Sequence, residues 1–131
     1  METVTLPRLD PSAPRKFAGS WTMQRSPFDE MQIPHERLAV YRATLQDSIT
    51  ELIGARDLVV IDRRATKIER EGVYLVEIDG AIRLRSCSRD IETGAAIVSA
   101  PGLPAQTIPA PQLAARVRVF GRAVYRMSEL P

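Results

Sequence analysis

A lone cysteine, a lone histidine, one serine in an acidic segment and a surplus of arginine are the residues here with chemistry to offer. Cys87 and His35 could in principle form a nucleophilic pair. A free cysteine is more often a small buried hydrophobe, and His35 follows Pro34 in a polar stretch where solvation is expected. One cysteine forms no intramolecular disulfide, and one cysteine with one histidine supplies too few soft ligands for structural zinc, so no metal is expected. Ser48, in Asp47-Ser48-Ile49-Thr50-Glu51, reads first as a helix cap. As a nucleophile it would need a neutral base within reach. The chain has no phosphate loop, no Gly-x-Gly-x-x-Gly, no Gly-x-Ser-x-Gly and no His-Glu-x-x-His, and no cofactor is expected. The carboxylates Asp29-Glu30 fall in a polar loop, where water is their natural partner.

Composition narrows the classes. At 131 residues, the chain is long enough for one domain with a real core. It is 44% hydrophobic and 26% charged, as in an ordinary soluble protein. No apolar run approaches the roughly 20 residues that span a bilayer, and the N-terminus lacks the basic-then-apolar order of a signal peptide. A cytoplasmic protein without membrane contact is the expectation. The net charge of +2 is too small to argue for nucleic acid. Of 18 basic residues only Lys16 and Lys67 are lysines. That bias favours planar, bidentate partners, and is equally the mark of a GC-rich genome.

The elements that would position these residues are mostly strands. Residues 1–36 contain Pro7, Pro11, Pro14, Pro27 and Pro34, and read as an irregular, proline-rich arm or linker ahead of a β domain over 37–131. Leu38 to Ala43, Leu58 to Ile61, Val73 to Ile78 and Ala81 to Cys87 read as strands. Asp47 to Leu52 reads as one or two helical turns. Asp79-Gly80 is a strong signal for a two-residue hairpin turn. A second hairpin is expected around Thr93-Gly94, followed by a loop containing Pro101, Pro104, Pro109 and Pro111. In the last strand, Ala115 to Met127, alternation puts Val117, Val119, Ala123 and Tyr125 on one face and Arg116, Arg118, Arg122 and Arg126 on the other. Gly121 signals a bulge or bend. The arginine face reads as solvated sheet surface, with a dimer interface or acidic-partner surface as the sharper alternative.

The segment from Asp47 to Asp62 resembles the active-serine segment of the LexA, UmuD and phage-repressor family. That segment runs Gly-Asp-Ser-Met-Glu-Pro-Thr, a short turn, then Gly-Asp-Leu-Val and an apolar strand. Asp47, Ser48, Asp57, Leu58, Val59 and Asp62 fall in register without a gap. Glu71 to Gly80 is similar to the family's next strand and hairpin turn, and Val119 to Tyr125 to its closing strand. Phe17-Ala18-Gly19-Ser20-Trp21 is similar to its Ala-Gly cleavage-site region. The likeness covers about residues 17–128. It implies a bent, partly closed, mostly β domain of the LexA and signal-peptidase type, with Ser48 at the nucleophile position and Ala18-Gly19 as the scissile bond.

The departures carry the functional expectation. The resemblance implies a general-base lysine in the strand after Asp79-Gly80, and Arg85 occupies that position. A lysine can be made neutral by burial; an arginine stays protonated and has no acceptor. Losing one member of a serine catalytic unit can cost about a million-fold in rate. Gln46 stands for the family's glycine, Ile49-Thr50 for Met-Glu and Leu52 at about the proline. The expectation is therefore a regulatory and dimerisation domain of a phage-type transcriptional repressor that does not cleave itself. It would pair as a homodimer, with a DNA-binding repressor domain or chain as further partner. The alternative is a self-processing Ser-Lys-type peptidase, UmuD-like, cutting Ala18-Gly19; Lys67 beside Ser48 would favour it. Direct DNA binding through Arg83, Arg85 and the arginines of the last strand is not expected, because aromatic residues make up only 5% and stacking platforms are scarce.

Overall fold

The structure is a computed structural model and describes residues 2–47, 49, 52–100 and 102–128. Its described residues form nine strands: β1 (Thr3–Asp10), β2 (Ala13–Gln24), β3 (Leu38–Arg42), β4 (Leu58–Asp62), β5 (Gly72–Ile78), β6 (Ala81–Arg89), β7 (Ala96–Ser99), β8 (Gln106–Ile108) and β9 (Val117–Met127). Two short helices, α1 (Ser26–Glu30) and α2 (Leu113–Arg116), complete the regular structure with three 3-10 turns. The chain is thus mostly β, as its alternation and turn residues predict. All nine strands join one sheet in the order β2-β1-β3-β4-β9-β5-β6-β7-β8, and it is not closed. Asp79 (φ 49°) and Gly80 (φ 87°) both take the left-handed conformation that a two-residue hairpin turn requires.

The sheet bends sharply. β3 and β6 stand four strand spacings apart, roughly 19 Å if flat, yet one carboxylate, Asp47, bonds the Tyr41 side chain on β3 and the Leu84 amide on β6. A tyrosine side chain, a carboxylate and two hydrogen bonds do not span 19 Å. The inner face of the bend holds one apolar cluster, including Leu9, Ala39, Tyr41, Val59, Ile61, Leu75 and Leu84, closed by Ile49 and Ile53. The outer face holds two. One, under α1, centres on Leu6, Phe28, Leu38, Val40 and Val60. The other centres on Ile68, Tyr74, Val76, Cys87 and Ile108.

In the arm expected over 1–36, the described residues 2–36 are more regular than their prolines suggest. β1 and β2 form a hairpin, and β1 runs parallel to β3 at Arg8 and Val40. Each proline sits where a missing N–H is tolerated. Pro11 is in the turn, Pro14 lies on an edge strand, Pro7 adjoins a register shift, Pro27 opens α1, and Pro34 precedes a 3-10 turn. Leu6 and Leu9 are buried, which ties this hairpin to the core.

β9 departs from simple alternation. Its register slips against β5 between Leu75 and Val76, and against β4 between Val60 and Ile61. The first slip falls at Gly121, the bulge its type signals. A Cβ there would strike Ile61 and come within 2.7 Å of the Asp62 carbonyl. Each slip inverts the facing, so the expected single arginine face does not exist. Arg122 pairs with Tyr74 on the outer face, whereas Arg118 pairs with Glu77 and Arg126 with Val59 on the inner one. Val117 and Val119 likewise pack on the outer face and Ala123 on the inner. Arg116 lies in α2, so the strand begins two residues later than expected. The proline loop contains β8. Of the turns expected over Asp47 to Leu52, Ser48, Thr50 and Glu51 lie outside the described residues; a 3-10 turn covers Leu45–Asp47, and Ile49 and Ile53 form a bridge.

Candidate functional site

β6 is paired on both edges at Ser86 and Cys87, but its Ala81–Arg85 portion has β5 on one side and, among the described residues, no strand on the other. A buried N–H on that open edge needs an acceptor. Asp47 provides it: Oδ1 accepts from Leu84 N at 2.8 Å. Its Oδ2 accepts from Tyr41 Oη at 2.9 Å, Thr44 N at 2.8 Å and Thr44 Oγ1 at 3.0 Å. The fully buried Asp47 therefore fixes the start of the 43–57 loop against β6. The loop is gathered elsewhere too. Ala43 N donates to Asp57 O (2.8 Å) and Arg56 N to Ala43 O (2.9 Å), prolonging the β3–β4 ladder. Gly54 N donates to the Asp57 carboxylate (2.8 Å), and Arg126 Nη1 donates to Leu52 O (2.7 Å).

Arg85 meets this loop directly. Its Nη1 donates to Gln46 O at 2.7 Å and to Leu84 O at 2.8 Å. Burial lowers the Arg85 pKa, the Asp47 carboxylate opposes that, and Arg83 adds to the lowering. An arginine starts so high that it remains a cation at neutral pH, with donors and no lone pair to receive a proton. Ser48 follows Asp47 in the chain and lies outside the described residues; its neighbours Asp47 and Ile49 are both buried. The fold thus brings the Arg85 guanidinium to the residue pair just before Ser48.

The other candidates are elsewhere. Ala18-Gly19 is exposed on β2, at the sheet edge, inside the register shift between the pairs Pro7–Ser20 and Leu9–Phe17. Gly19 has φ 95°, a backbone that favours glycine. Phe17 beside it lies under the Arg63 guanidinium, 5.1 Å from its carbon. Among the described residues no hydrogen bond joins 17–21 to Gln46, Asp47 or Arg85. Lys67 lines two cavities with residues such as Ile68, Tyr74 and Arg122, and no described residue of the 43–57 loop lines either. Cys87 is buried, and burial pushes its thiol up to about 12, so it is an inert hydrophobe at neutral pH. His35 Nε2 lies 3.0 Å from Asp29. No group of three metal-ligating residues comes together among the described residues, and no described helix is long and apolar enough to cross a membrane.

Several arginines are committed within the chain. Arg116 forms a two-point pair with Asp79 (3.0 and 2.9 Å), Arg83 donates to Ile82 O, and Arg126 holds Leu52 O. Sequence reasoning missed Tyr41 and the anchoring role of Asp47. A tyrosine in an otherwise apolar strand was the available signal, because a buried phenol needs a partner. No protein-family model matches this chain, and no curated protein matches it.

Proposed function

We propose that this chain is a non-cleaving regulatory and dimerisation domain of the LexA, UmuD and phage-repressor kind. The observation that supports this most is the 2.7 Å bond from Arg85 to Gln46 O. It puts a permanent cation beside the serine segment, at the position where the resembling family carries its proton-accepting lysine. A serine attack in which the hydroxyl proton has no acceptor does not proceed at a useful rate. The bent sheet, the Asp79-Gly80 hairpin and the anchored loop before Ser48 are compatible with that family's architecture. The exposed Ala18-Gly19 segment would then be a retained but uncut strand. In this reading the chain works in the cytoplasm as a C2 homodimer, using the same patch twice, and brings together DNA-binding repressor heads without itself contacting DNA.

Light scattering over a concentration series tests the pairing. The expected mass is twice 14.6 kDa, and a monomer at the highest concentration would contradict the dimer. Intact mass after incubation in mildly alkaline buffer tests the chemistry. An uncut chain is expected; fragments divided between Ala18 and Gly19, absent in Ser48→Ala, would restore the peptidase.

A further inference from the structure

On the outer face, between the two apolar clusters, lie two adjoining cavities of about 380 and 450 Å³ that share Asp62, Arg64, Arg70 and Arg122. Strand register places the central groups. Asp62, Arg122 and Tyr74 are cross-strand partners on β4, β9 and β5, so they form one row. Arg64 is bonded to Asp62 through Nε (3.1 Å) and Nη2 (2.9 Å), and that pair is neutral. Arg70, Arg122 and Lys67 add three further positive charges, against which the lining offers one further carboxylate, Glu69, although Asp62 also attracts its neighbour Arg122. Two positive charges are therefore uncompensated.

Arg122 is also short of acceptors. Its Nε is buried with no hydrogen-bond partner, and neither Arg122 nor Arg70 donates a side-chain hydrogen bond to a described residue. Gly72 gives the Arg122 stem its room, since a Cβ there would lie 2.9 Å from that Nε. Converging guanidiniums with free donors suit a planar or tetrahedral oxyanion. A phosphate ester carries close to two negative charges at neutral pH, which matches the surplus; a single carboxylate would leave one charge over. The combined space is that of a small-ligand site, and it is walled by Met31 and Ile33 at one end and Tyr74 and Lys67 at the other.

We propose that this cleft binds a phosphate-bearing small molecule of nucleotide size, its phosphate held by Arg70 and Arg122 with Lys67 alongside. The full chain would be titrated with pyrophosphate and with AMP at constant ionic strength. Melting temperature and the arginine Nε–H signals in ¹H–¹⁵N spectra would be followed. Both ligands should raise the melting temperature above a chloride control and move the Arg122 Nε–H signal. Arg122→Gln and Arg70→Gln should each weaken binding roughly tenfold, and Arg118→Gln, on the opposite face, should not. Arg70 is exposed on the 63–71 connection, so its variant tests the cleft without disturbing the sheet. No rise over chloride, or equal affinity in Arg70→Gln and wild type, would overturn the proposal. So would an oligonucleotide that binds more than about tenfold tighter than AMP, because the phosphate would then belong to a nucleic-acid backbone.

Discussion

Asp47 satisfies one buried amide on an open strand edge, one buried phenol and one loop residue with a single carboxylate. Hydrogen bonds to a charged group are each worth about 1.5–3 kcal/mol, and removing the shared acceptor leaves the donors unpaired. Asp47→Ala should therefore cost about 3 kcal/mol or more in urea unfolding. Tyr41→Phe, which removes one donor and leaves Asp47 its others, should cost about 1 kcal/mol. Equal losses in the two variants would mean that Asp47 is not the hub. Cys87 gives a pH prediction at the same scale. Its folded thiol is raised by burial to about 12, above an ordinary thiol near 8.5. A raised acid contributes stability that is fully present below the unfolded pKa and is lost as pH climbs through the folded one. Stability should thus fall between about pH 9 and the folded value of about 12. At pH below that window the native thiol should resist a disulfide reagent and react only after denaturation. Rapid labelling of the native chain at neutral pH would show that Cys87 is not sealed. Asp62 behaves oppositely. Burial works to raise it, but the Arg64 hydrogen bonds hold it below the usual carboxylate range, so its contribution is present at neutral pH and lost in acid.

Among the elements, α1 is the clearest case of structure imposed from outside. Five residues cannot sustain a helix alone; Phe28 holds it, fully buried over Leu6, Leu38 and Val40 and edge-on to Tyr125 at 5.5 Å. Phe28→Ala should cost about 3–5 kcal/mol, with faster amide exchange in α1 and the β1–β2 hairpin than in β5 and β6. Uniform loosening of the whole sheet would contradict a role confined to this corner. Gly121→Ala should also destabilise, by about 1–3 kcal/mol, because its Cβ meets Ile61 and the Asp62 backbone; an unchanged midpoint in urea would show that the bulge relaxes. The same elements show what the sequence made legible. The Asp79-Gly80 hairpin was readable because its turn needs positive φ at both residues, and β4 because five buried residues in a row are uniformly apolar until Asp62. The β1–β2 hairpin was hidden because prolines at turns and edges look like prolines in an irregular arm. The arginine face was misread because period-2 counting fails across a bulge, and β9 contains two. At the candidate site, the position of Arg85 relative to the hairpin was countable along the chain. Its contact with Gln46, and the Asp47 bridge from β3 to β6, depend on the bend and could not be counted.

For the whole molecule, the bend is what brings β6 to Gln46 and Asp47, and a serine segment without a proton acceptor is the proposed consequence of the arginine at position 85. Pairing and DNA placement are the proposed consequences, but both would fit a cleaving relative as well as a silent one. The chemistry separates them. The deciding measurement is intact mass of the wild-type chain through prolonged incubation in mildly alkaline buffer, with Ser48→Ala alongside. The account predicts a single species at 14.6 kDa in both. Two fragments meeting at Ala18 and Gly19 in the wild type, and none in Ser48→Ala, would contradict it.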